Sequence, residues 1–110
     1  MPAIRPAAVA GSFYPAAAAE LHREIGKLLG SVETTSIAPV PKALIAPHAG
    51  YIYSGPIAAA GYSRLALARE RITRVVLLGP SYFHGMAAGS AEGWRTPLGT
   101  VPIDRPSSSA

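Results

Sequence analysis

The chain has 110 residues, 49% of them hydrophobic and 15% charged, which is the composition of one small globular domain and not of a disordered tail. It has no cysteine, so disulfides, thiolate zinc clusters and cysteine nucleophiles are excluded. The formal charge of +4 raises the question of nucleic acid, but its only basic cluster, Arg69, Arg71 and Arg74, is interrupted by Glu70 and falls where a helix should end. No aromatic platform accompanies it, so no nucleic-acid partner is expected. The apolar runs are far shorter than a membrane span and Met1–Pro6 lacks the order of a signal peptide; the expectation is a cytoplasmic protein with no membrane partner.

Ala8 to Pro15 is an apolar lead-in that brings Phe13 and Tyr14 ahead of a helix. From Ala16 to Leu29 the apolar residues Leu21, Ile25, Leu28 and Leu29 recur at helical spacing, and Gly30 is expected to stop the helix. His22 lies on the polar side beside Arg23 and reads as a solvated helix residue. Ser31 to Pro41 reads as a surface loop. Lys42 to Ala46 is nearly all apolar, as in a parallel strand covered on both faces.

Next comes Ala46-Pro47-His48-Ala49-Gly50-Tyr51-Ile52-Tyr53-Ser54-Gly55, about twice the common length for a strand-to-helix connection. In α/β sheets such a loop, leaving the carboxyl end of a strand, is where ligands and catalytic groups collect. A helix is expected from Pro56, capped by Ser54 or Gly55, with Ala58 to Gly61 giving it a smooth surface toward the sheet. Ile72 to Leu78 reads as the second strand, parallel to the first through a right-handed crossover. That topology brings His48 and the segment Ser81-Tyr82-Phe83-His84-Gly85 to one edge. Further on, Thr96-Pro97-Leu98-Gly99 reads as a turn, Val101 and Ile103 as a short edge strand, and residues 105–110 as a disordered tail after a domain of residues 1–104. No phosphate-binding glycine loop is present, which leaves a nucleotide-binding reading with only its strand-helix-strand pattern.

Four segments, in this order, resemble the Memo family, whose prokaryotic members are often named AmmeMemoRadiSam system protein B: Arg5 with Ala10–Pro15, Ala46–Gly55, Leu78–Ser81, and Thr96–Asp104. The resemblance covers nearly the whole chain and corresponds to the amino-terminal portion of the family. It implies a partial α/β/α sandwich with a mainly parallel sheet, related to the class III extradiol dioxygenases, whose non-haem iron sits among histidines and a carboxylate. The residues here that would serve such an iron or copper site are His48 and His84, with Tyr51, Tyr53 and Tyr82 as further ligands or pocket-lining groups. Two departures bear on that. Tyr82 stands where family members carry histidine, in a loop that looks about three residues short, so His84 substitutes only if the loop carries it toward His48. Family members are also more than twice this long, with further site residues in the other half, so the chain reads as a truncated copy.

Each site residue also has a plainer reading. His48 can be a hydrogen-bonded loop histidine that holds Tyr51 or Tyr53, and His84 an exposed loop residue. Tyr51 and Tyr53 should point in opposite directions, one lining a cleft and one packing inward. Ser54 and Ser81 lack the strained elbow and the base-plus-carboxylate set of a nucleophile. These residues leave a remnant metal-dependent redox site acting on an unknown small molecule, a non-catalytic module that binds a protein partner or associates with itself through an exposed sheet edge and apolar face, or a fragment with no function of its own.

Overall fold

The computed structural model describes residues 3–33, 39–80 and 92–104. Tyr82, His84 and the whole 81–85 segment lie outside them, as do residues 105–110. In chain order the elements are β1 (Ile4–Arg5), α1 (Ala18–Gly30), α2 (Tyr51–Tyr62), a 3-10 segment (Ser63–Ala68), β2 (Gly93–Thr96) and β3 (Gly99–Pro102). They form a small α/β domain with a mixed sheet in the order β1-β2-β3.

Helix α1 follows its apolar spacing: Leu21 is buried at 3% exposure, Ile25 and Leu28 are half-buried, and Glu20 and Lys27 stand in the first and last turns where the helix dipole favours them. Its end differs from expectation. Gly30 is the last helical residue and has no left-handed backbone; Ser31 closes the helix, its amide donating to the Lys27 and Leu28 carbonyls and its hydroxyl to Leu28 at 2.8 Å.

Helix α2 begins at Tyr51, five residues before the expected start, because the first-turn amides find partners without a side-chain cap. The amides of Tyr53 and Ser54 donate to the Gly50 carbonyl, each at 2.9 Å, and the Tyr51 amide donates to the Phe13 carbonyl at 2.8 Å. Ser54 and Gly55 are therefore buried inside the helix rather than capping it, and Pro56 is an interior residue. Without an amide hydrogen Pro56 gives up the bond to the Ile52 carbonyl, which is tolerable because both residues lie on an exposed face. The 3-10 segment continues α2, Ser63 donates its hydroxyl to the Ala60 carbonyl, and Arg69 to Arg71 follow as the expected helix-end turn.

The sheet corrects the largest expectation. It is mixed, not mainly parallel: β1 runs parallel to β2 over two residue pairs and β2 antiparallel to β3 over four. Lys42–Ala46 and Ile72–Leu78 take part in no strand ladder among the described residues, and no right-handed crossover joins them. Both are open to solvent; Val76 is 87% exposed and Leu78 88%. A central parallel strand needs hydrogen-bonding neighbours at its edges and cover on both faces, and the described part of the chain supplies neither. Their apolar content is that of buried strands; their surroundings are not.

The expected turn and edge strand at the carboxyl end are present as the β2–β3 hairpin. Thr96 donates its hydroxyl to the Gly99 carbonyl at 2.8 Å and accepts the Leu98 amide at 3.1 Å, while Gly99 adopts φ +140°, a conformation that suits glycine. Pro102 ends β3 on the outer strand, where a missing amide hydrogen breaks little. At the other side of β2, Arg5 stacks its guanidinium over Trp94 at 5.8 Å, and the Glu92 amide donates to the Ala3 carbonyl at 2.8 Å. Arg74 and Asp104 form an ion pair at 3.3 Å, but both side chains are largely exposed, so the pair contributes less than about 1 kcal/mol.

Candidate functional site

The site is built where two of the sequence motifs meet. Gly11, at φ +88°, lets the chain fold back on itself: its amide donates to the Tyr14 carbonyl at 2.7 Å, and the amides of Ser12 and Phe13 donate to the Val9 carbonyl. The turn presents the Phe13 carbonyl to the Tyr51 amide, and buried Gly50 lies directly against the Phe13 backbone. The same approach brings the Tyr14 and Tyr51 rings to 5.6 Å between centroids, tilted by 44°. The segment before α1 thus fixes the start of α2.

Helix α2 then packs on α1 through its smallest residues. A side-chain carbon added at Gly55 would stand 3.1 Å from Leu28 Cδ1 and 3.3 Å from Cδ2, so only glycine fits there without moving the leucine. Expected against a sheet, the smooth surface of α2 serves a helix instead.

Between the two helices and the Pro47–Ala49 segment lies an open cleft of about 400 Å³. Its walls are mainly apolar, with Val9 and Phe13 on one side and Ile25, Leu28 and Leu29 of α1 on another. The residues with polar side chains that line it are His48, Tyr14, Tyr51, Tyr62 and Ser54. An apolar hollow with a few converging polar groups is the usual form of a small-molecule site.

Burial pushes the Tyr51 phenol above the ordinary tyrosine value, and the neighbouring Tyr14, Glu24 and Tyr62 push it further in the same direction. Tyr51 therefore stays protonated at neutral pH, as a hydrogen-bond donor rather than a phenolate. Tyr53 is on the opposite side of α2 from Tyr51, 81% exposed and outside the cleft. The two tyrosines do diverge, but neither packs into the core. His48 is an exposed residue of the cleft wall, three positions before the first residue of α2, and His22 lies exposed on α1. Tyr14, Tyr62 and Leu28 were not singled out as site residues by sequence reasoning; Tyr14 had a signal, since it falls inside a motif, whereas Tyr62 and Leu28 read as ordinary helix positions.

Among the described residues no three His, Cys, Asp or Glu side chains gather where they could hold a metal ion. A mononuclear iron or copper centre takes several such donors, so the described donors alone do not fit one. No helix among the described residues is long and apolar enough to cross a membrane.

The family model for Memo-like protein matches residues 5–110. Similar proteins include a MEMO1 family protein of Thermotoga maritima, 44% identical over 91% of this chain and 40% of the relative. Another is a MEMO1 family protein of Aquifex aeolicus, 40% identical over 92% of this chain and 37% of its own length. A third, from Ignicoccus hospitalis, is 44% identical over 92% of this chain and 39% of its own length. The chain spans about two fifths of the length of these curated relatives. With the motifs that build the cleft lying inside the matched region, the chain belongs to the Memo-like protein family.

Proposed function

We propose that this chain is a small-molecule binding portion of a Memo-family domain, taking a compact, largely apolar ligand into the cleft between α1 and α2. The observation that carries this reading is the cleft itself: about 400 Å³ of mainly apolar wall with the protonated Tyr51 phenol and the His48 imidazole among its polar groups. Apolar contact supplies the affinity, and the polar groups select a ligand with a hydrogen-bond acceptor. Phenylacetate, added to the isotopically labelled chain, tests it by amide shift changes. Changes centred on Phe13, Tyr51 and Ala58, and lost in Ala58→Phe, are expected. Equal changes along Val75–Leu78 would mean unspecific apolar binding.

A second reading is favoured by the position of His48 within its motif and on the cleft wall. In it His48 is one donor to an iron or copper ion, whose contribution when bound would be redox chemistry on the ligand in the cleft. The other donors would come from outside the described residues, where His84 and Tyr82 lie. Iron and copper content of the purified chain, set beside that of His48→Ala, tests it: a clear excess in the parent chain is expected, and equal content removes the metal from this chain.

A further inference from the structure

Four aromatic residues line the cleft: Phe13 and Tyr14 from the turn before α1, and Tyr51 and Tyr62 from the two ends of α2. Tyr14 and Tyr51 meet at a tilt, while Phe13 is 43% and Tyr62 51% exposed, so ring surface is left for an occupant. An aromatic face carries partial negative charge and attracts a cation, most strongly where water is excluded.

The charge beside those rings has the same sign. Glu24 falls at helical spacing between Leu21 and Leu28, on the stripe of α1 that carries its buried residues, and it is half-buried there. It forms no ion pair among the described residues. Burial, then Tyr14, then the Glu24 carboxylate push the Tyr51 phenol upward. A field that opposes a phenolate at that point favours a cation there. Among the described residues that line the cleft none is lysine or arginine. The start of α2 would attract an anion through its free amides, but the Tyr51 amide is bonded to Phe13 and those of Tyr53 and Ser54 to Gly50.

From this we infer that the cleft takes a small cation of the methylated-ammonium class, its head among the rings of Phe13, Tyr14, Tyr51 and Tyr62 and its charge balanced by Glu24. The methyl groups of such a head suit apolar walls, and a hydroxyl elsewhere on the ligand accepts a hydrogen bond from Tyr51. The inference rests on the cleft being a small-molecule site and adds the charge of what fills it.

Choline and its uncharged analogue, in which carbon replaces the quaternary nitrogen, test it, because the two share a shape and a hydroxyl and differ in charge. Both are titrated into the labelled 110-residue chain, with phenylacetate as a third probe, and amide shifts are followed at Phe13, Tyr51 and Ala58. Choline is expected to bind about tenfold more tightly than the uncharged analogue. Glu24→Gln should narrow that ratio to about threefold or less, and so should Tyr62→Leu, which removes a ring and keeps an apolar side chain. Equal affinity for the two analogues, a ratio that neither variant changes, or shifts with phenylacetate and none with choline would overturn the inference and leave the cleft standing as a small-molecule site. If none of the three probes moves those amides, the small-molecule reading falls and the inference falls with it.

Discussion

Tyr51 shows how one residue joins fold and site. Its amide ties α2 to the Phe13 turn, its ring meets Tyr14, and it lines the cleft. Because its folded-state value lies above the ordinary 10.0, the folded protein holds that proton more tightly than the unfolded chain does. The stabilisation is complete below pH 10 and is lost as pH rises through the higher folded value. Tyr51→Phe should remove this alkaline component from denaturant midpoints followed between pH 9 and 12; an unchanged profile would mean another group is responsible. Gly55 is the second decisive residue. Gly55→Val would press on Leu28 where even a single carbon comes within 3.1 Å, and a loss of about 1–3 kcal/mol in denaturant unfolding is expected. The His48 motif was legible in sequence as a chemical segment, but its seat was not, because the Phe13 carbonyl that anchors it comes from a distant turn that no local pattern announces.

At the scale of elements, legibility followed amphipathicity. Helix α1 has one apolar stripe and was readable to within two residues at its start and one at its end. Helix α2 has no stripe, and Pro56 resembles a first-turn proline, so its first five residues read as loop. The proline is a local cost that the packing of α2 on α1 overrides. Pro56→Ala should restore the bond to Ile52 and stabilise the chain by about 1–2 kcal/mol after allowing for the looser unfolded chain, measurable as a higher denaturant midpoint. The Thr-Pro-Leu-Gly turn and the outer strand β3 are readable in sequence, whereas β2 is not, and neither is β1, two residues long and dependent on Trp94 and Gly93 for its place. Gly93 is closely walled: an added carbon would lie 3.0 Å from Ile4 Cδ1 and 3.3 Å from the Val101 carbonyl oxygen. Gly93→Val should therefore disrupt the sheet, with a cost of about 1–3 kcal/mol in the same assay.

For the whole molecule, apolar pattern and actual burial part company. Leu21, Ala59 and Ala68 make up the buried hydrophobic core of the described residues, while the strand-like segments stay outside it. Sequence marks Lys42–Ala46 and Ile72–Leu78 as buried strands, but among the described residues they join no ladder and are largely exposed, since a strand is completed only by neighbours. The most direct measurement is residue-resolved amide hydrogen exchange on the monomeric chain. Slow exchange is predicted at Leu21, Tyr51 and Ala59, where helix bonds and the Phe13 carbonyl hold the amides, and fast exchange along Val75–Leu78. Protection of Val75–Leu78 equal to that of the two helices would contradict the account, because it would require a ladder that is absent among the described residues.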